Sequence, residues 1–157
     1  MNSTPKARVV SIVYRPKNTG RPQDHYERVP TDRVRLVEFR GIEGDMKGSS
    51  TSRQLNVMLA ETLAELGAEG FKVAPGEMGE QIVLAGVDPA AMVEGMRIKL
   101  GEAVIEVGIP RTGCARFEMI QGKPRALVKG RLGVLATVVS GGDVVVGDAV
   151  EILTAAT

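Results

Sequence analysis

Apolar residues recur along this chain in short bursts cut by glycine, proline and acidic turns, and only one stretch keeps a helical step. Val9, Val10, Ile12 and Val13 predict a first strand over Arg8–Tyr14. Residues 15–32 are polar and carry Pro16, Gly20, Pro22 and Pro30, so a long loop or excursion is expected there. Residues 34–39 are apolar on both faces and predict a second strand buried on both sides. Leu55, Met58, Leu59, Thr62, Leu63 and Leu66 then recur at three and four residue steps, predicting an amphipathic helix capped by Asn56 and stopped by Gly67. Strands are predicted over 82–85, 96–100 and 103–109, the last two joined as a hairpin by Gly101 and Glu102. Asp88 and Pro89 open a single capped turn between them. A helical turn or two is expected over 115–121, and strands over 132–139, 144–146 and 150–153 end the chain. Many short strands between glycine turns, with one long helix and short helical turns, describe a mainly β fold, a barrel of mixed connectivity.

Composition narrows the picture. A chain of 157 residues suits one domain, spanning residues 1–157, because two halves would each be marginal. Aromatic content is 3% with no Trp, so the core must come from Val, Ile, Leu, Met and Ala. No apolar run approaches the length of a membrane span and no secretory leader pattern opens the chain, so a cytoplasmic protein without a membrane partner is expected. A net charge of +1 gives no reason to expect nucleic acid as a partner. Up to Arg33, however, seven basic residues stand against three acidic ones, which makes either a solvated face or a surface that attracts phosphate.

The candidate chemistry centres on Arg111-Thr112-Gly113-Cys114-Ala115-Arg116, which holds the only cysteine. Nearby guanidinium charge favours the thiolate, the form that acts as nucleophile and soft-metal ligand, and the first turn of a following helix would add to this. By residue type alone a lone cysteine is a small buried hydrophobe, but Arg, Thr and Gly are poor company in a core. Two glycine-rich stretches accompany it. Residues 40–54 offer glycines, hydroxyls and cations, Lys47 and Arg53 among them, as anion-cradling loops do, without the spacing of a nucleotide P-loop. Pro75-Gly76-Glu77-Met78-Gly79-Glu80-Gln81 suggests a backbone that turns tightly or approaches something closely. His25 is the only histidine and has no second histidine or cysteine nearby, so a zinc site there is not expected.

Taken in order, Gly44-Asp45, Arg53-Gln54, the 75–81 stretch, Cys114 after Pro110-Arg111, and Gly142 followed by Gly147-Asp148 resemble the MOSC domain, named for the C-terminal domain of molybdenum cofactor sulfurases. The resemblance runs from about Val9 to Val150 and is to a stand-alone bacterial member. It implies a closed β-barrel of the pyruvate kinase β-barrel-like kind. Two positions depart from the family pattern: Gln81 stands where an Asn is common, and Met46 and Lys47 stand where a His often follows the Gly-Asp pair.

What the resemblance implies about function is a pterin-bound molybdenum cofactor. Cys114 is then the metal ligand or the acceptor of a persulfide sulfur. Ser52, Arg53, Gln54, Arg111 and Arg116 are the groups assigned to the cofactor and its phosphate, and the backbone amides from Gly76 through Glu77, Gly79 and Glu80 to Gln81 would approach the pterin. Two activities follow: reduction of N-hydroxylated small molecules with electrons from a redox partner protein, or sulfur transfer from a donor enzyme, by a monomer or homodimer. A plain β-barrel binding module with a structural cysteine is the non-catalytic alternative. A cysteine hydrolase using His25 is disfavoured, since no Asn or Asp orienter is evident.

Overall fold

The computed structural model describes residues 6–16, 26–45 and 55–155. Its elements in chain order are β1 (Arg8–Tyr14), β2 (Val29–Thr31), β3 (Arg33–Val37), β4 (Gly41–Ile42), β5 (Leu55–Leu59), α1 (Ala60–Ala68), β6 (Ile82–Ala85), β7 (Met96–Leu100), β8 (Ala103–Pro110), α2 (Ala115–Gln121), β9 (Val134–Ser140), β10 (Gly142–Val145) and β11 (Val150–Ala155). Short 3-10 turns lie at Pro89–Ala91, where Asp88 Oδ1 accepts from Ala90 N at 2.9 Å, and at Arg125–Val128.

The fold is mainly β. An eight-stranded mixed sheet has the order β11-β7-β8-β9-β5-β6-β1-β2, and a second sheet has the order β10-β3-β4. Within the large sheet β5 and β6 run parallel with α1 as their crossover, and the other named pairs are antiparallel. The expected closed barrel is not formed as a ladder: the strand order is open, ending at β11 and β2. The sheet nonetheless curls until β1 meets the segment before β11. There Val9 N donates to Asp148 O at 2.9 Å, Val150 N donates to Ala7 O at 3.0 Å, and Arg8 and Ala149 form one isolated bridge.

Two expectations about elements change. The long helix expected from Leu55 is a strand followed by a nine-residue helix. Leu55, Asn56, Val57, Met58 and Leu59 are all buried, because β5 is a central strand covered on both faces. Such a strand is buried at every position and apolar on both faces, so a helical step can be drawn through it by chance. Asn56 therefore sits mid-strand and caps nothing, α1 has no side-chain cap, and Gly67 lies within the helix. The second strand, expected to be buried on both sides, alternates instead: Val34 and Leu36 point inward while Arg33 and Arg35 are exposed.

The core has two compartments separated by the sheet. Leu55, Val57, Leu59, Ile82 and Leu84 pack inside the curl with Leu36, Ile98 and Ile105. Met58 and Val83 point the other way, to Leu63 and Leu66 of α1, Phe117 of α2, and Met78. Each fully buried Leu or Phe contributes about 1.5–3 kcal/mol. The second compartment thus ties the turn bearing Met78 to the helix that follows Cys114.

Candidate functional site

The turn entering β6 is built around one buried carboxylate. Gly76 and Gly79 take φ of +83° and +82°, which glycine reaches without a Cβ penalty. Glu80 can then bind back onto its own turn: Oε2 accepts from Gly76 N at 2.8 Å and Oε1 from Met78 N at 3.1 Å. Burial pushes the Glu80 carboxyl above the usual range, while these amides, its own N–H and the Arg111 charge pull it down. The remaining amides are also committed inside the fold. Glu77 N donates to Ala74 O, Gly79 N to Gly76 O and Gln81 N to Asn56 O, each at 2.9 Å. What the turn offers outward is therefore its glycine surface and not a row of N–H groups.

Arg111 occupies that surface. Its backbone N–H donates to Gly133 O at 3.0 Å, fixing the chain as it leaves β8, and Nη1 donates to Met78 O at 2.7 Å. A Cβ on Gly79 would land on Arg111 Nη2 and 3.1 Å from Tyr26 Cζ, so glycine is what lets both groups lie against the turn. Tyr26 is the hub of the cluster. Arg111 donates a hydrogen bond to its hydroxyl, the Arg116 guanidinium lies 5.0 Å from its ring centroid, and that of Arg28 lies 5.6 Å away. Burial pulls Arg111 below the usual arginine range, opposed by Tyr26, Glu80 and Cys114. Burial also lowers Arg28; Asp45 opposes this, and the neighbouring charges of Arg15 and Arg111 add to it. Burial raises Tyr26, against the three guanidiniums.

Cys114 is exposed at the N-cap position of α2, with its carbonyl accepting Glu118 N at 3.1 Å. Phe117 and Ile120 anchor α2 in the core, and this anchoring leaves Cys114 and Arg116 on the side of Tyr26. Cys114 stands two residues before Arg116, whose guanidinium lies over the Tyr26 ring, so the thiol belongs to the same constellation. The structure thus brings together Cys114, Arg111, Arg116 and Gly79, with Glu80 beneath. Gly76 sits at one flank, where its Cβ would meet Arg28 Cβ at 2.6 Å. Glu77 turns elsewhere: its carboxylate accepts from Ala74 N at 2.9 Å and its carbonyl from Gln121 Nε2 at 3.0 Å. Gln81 is a buried brace whose Oε1 accepts from Asn56 N at 2.9 Å. Ser52, Arg53, Gln54 and His25 lie outside the described residues.

Sequence reasoning missed Tyr26, Arg28 and the link from Arg15 to Asp45 of the Gly-Asp motif, whose Oδ2 accepts from Arg15 N at 2.7 Å. The available signal was the basic excess before Arg33. Among the described residues no group of three or more His, Cys, Asp or Glu could hold a metal ion, and no helix is long and apolar enough to cross a membrane.

The fold recurs in known structures. The crystal structure of YiiM from Escherichia coli is 24% identical with a TM-score of 0.71, covering 96% of this chain and 71% of that one. The YuaD protein from Bacillus subtilis is 18% identical with a TM-score of 0.78, covering 95% and 96%. YiiM from Geobacillus stearothermophilus is 17% identical with a TM-score of 0.72, covering 94% and 75%. No curated protein sequence matches the chain. Residues 44–151, which include β5 to β10, α2 and Cys114, match the model of the MOSC domain, and the chain belongs to that family.

Proposed function

We propose that this MOSC protein binds a pterin-linked molybdenum cofactor on the face formed by Cys114, Arg111, Arg116 and Tyr26. The observation that carries the reading is an exposed lone thiol beside guanidiniums gathered on one tyrosine ring. The donor set fits such a group. A soft thiolate suits the metal, planar guanidiniums suit the phosphate, and with one cysteine the chain leaves the metal's other ligands to the pterin that carries it. Ser52, Arg53 and Gln54 are assigned to the same cofactor. Gly76, Glu77, Gly79, Glu80 and Gln81 act by building the turn on which Arg111 rests.

When bound, the cofactor would supply two-electron redox chemistry, taking an N-hydroxylated compound to the amine and water with two protons. Electrons would come from a redox partner protein, since the sequence shows no flavin, haem or iron–sulfur motif of its own. The chain's own residues would hold the anion, position the metal through Cys114 and keep positive charge around the reacting face. Exposure of Cys114 also serves a second reading, in which a donor enzyme's persulfide passes its outer sulfur to the thiolate and leaves as a thiolate itself. In either case the chain acts as a single domain over residues 1–157, in the cytoplasm, as a monomer or homodimer, without nucleic acid or membrane partners.

The test is the molybdenum and pterin content of protein purified from cells that make the cofactor, beside Cys114→Ser. Stoichiometric metal lost in the variant supports the ligating thiolate. Cyanide-released sulfur from the wild type alone, without metal, supports the sulfur carrier. A blank in both assays removes both readings and leaves a binding module.

A further inference from the structure

Arg28 carries a donor that the described part of the fold leaves unused. Among the described residues its Nε is buried and has no hydrogen-bond partner, as is also true of Gln81 Nε2. An enclosed N–H without an acceptor destabilises the state that encloses it. Arg28 is pinned from both sides: its Cβ lies against Gly76, and its guanidinium lies against the Tyr26 ring. The groups whose charges act on it are Asp45, Arg15, Arg111 and Tyr26. Among the described residues, the Asp45 carboxylate acts on Arg28 while also accepting from Arg15 N, and Glu80 is bound to the amides of Gly76 and Met78. The guanidiniums of Arg28, Arg111 and Arg116 thus meet at one tyrosine, with Asp45 acting on Arg28 and Glu80 on Arg111.

A tyrosine ring holds guanidiniums less strongly than an oxyanion does, because a charge-assisted bidentate pair outweighs a partly exposed cation–π contact. A phosphate group has several equivalent oxygens and can take donors from more than one guanidinium at once. We propose that residues 26–28 form a strap displaced by a phosphate oxyanion: Tyr26 holds the guanidiniums of Arg28, Arg111 and Arg116 together until the oxyanion replaces it, and Arg28 becomes a further phosphate-binding residue. This rests on the anion-binding reading of Arg111 and Arg116 and adds the group that yields and the group that captures. Gly76 and Gly79 serve the device from below, leaving room for Arg28 and for the Tyr26–Arg111 pair respectively.

The test uses the full chain purified from cells that do not make the pterin cofactor, titrated with inorganic phosphate. The apparent dissociation constant is read from the concentration dependence of the melting temperature. Tyr26→Ala removes the group to be displaced and is expected to bind phosphate several-fold more tightly. Arg28→Ala is expected to bind about tenfold more weakly, the loss of one charge-assisted hydrogen bond. Arg28→Lys keeps the charge without the fork and falls between wild type and Arg28→Ala. Tyr26→Phe keeps the ring without the hydroxyl and falls between wild type and Tyr26→Ala; these two milder variants carry the test if the alanine variants fail to fold. Phosphate bound equally by wild type and the Arg28 variants, or no more tightly by the Tyr26 variants than by wild type, overturns the strap. Cofactor content is measured separately on protein from cofactor-making cells. The expected phosphate pattern in a protein that never loads metal keeps the strap and removes the cofactor reading, whereas normal loading with unchanged phosphate binding does the reverse.

Discussion

Asn56 and Gln81 are locked by reciprocal hydrogen bonds: Asn56 N donates to Gln81 Oε1, and Gln81 N donates to Asn56 O, both at 2.9 Å. Asn56 adds a third link, from Nδ2 to Gly79 O at 3.1 Å. The pair ties the glycine turn, the platform under Arg111, to the central strand β5 through three hydrogen bonds.

Replacing Gln81 by Ala would strand the buried Asn56 amide and leave a void. A loss of about 2–4 kcal/mol is expected, combining an unsatisfied buried donor with a cavity. Urea unfolding monitored by circular dichroism would read this as a lower midpoint with an unchanged slope. A loss below about 0.5 kcal/mol would mean that the turn holds without its brace, as for an ordinary surface change.

Gly79→Ala tests the platform directly. A left-handed φ costs a non-glycine residue about 1–2 kcal/mol, and the new methyl would land on Arg111 Nη2. Arg111 must move, and with it the Tyr26 contact. Stability is expected to fall by at least that amount while phosphate or cofactor binding weakens further than in Gln81→Ala. Equal binding by Gly79→Ala and wild type would show that Arg111 does not depend on the bare glycine surface.

Much of this was legible in the sequence where the signal is local. The apolar pairs of β1, the apolar run of β6, the β7–β8 hairpin and the turn capped by Asp88 all report the immediate surroundings of their own residues. The polar flanks of Cys114 likewise implied an exposed side chain, and it is exposed. Leu55 to Leu59 misled because burial on both faces erases periodicity. Sheet closure was not legible at all, since it depends on how far the whole sheet curls. The Tyr26 hub was equally silent. It unites residues from the segment before β2, the end of β8 and the first turn of α2, and no local spacing encodes that meeting.

Glu80 gives the protein a signature in its pH dependence. Burial raises its carboxyl in the folded state, so between the ordinary glutamate value of about 4.3 and the raised native value the folded protein binds more protons than the unfolded chain. Stability from this group is therefore greatest at low pH and declines as pH rises through that window. Glu80→Gln removes the titration, and the single amide oxygen cannot replace a carboxylate that accepts from several N–H groups. The variant is expected to be less stable throughout, and the stability difference between wild type and variant should shrink as pH rises from about 4 toward neutrality. A gap that widens over that range would mean that the hydrogen bonds to the carboxylate outweigh its burial.

Cys114 and Phe117 stand three residues apart around α2 and should respond in opposite ways. Phe117 is fully buried in the second core compartment, and Phe117→Ala is expected to cost about 3–5 kcal/mol through lost burial and the cavity left behind. Cys114 is exposed, and Ser differs from it by one atom, so Cys114→Ser should stay within about 0.5 kcal/mol of wild type. Paired thermal melts read both effects, and metal and sulfur content read the function. A stability loss in Cys114→Ser comparable to that in Phe117→Ala would make the thiol a packing residue. Unchanged stability with complete loss of loading would separate the chemistry of this position from the architecture that holds it in place.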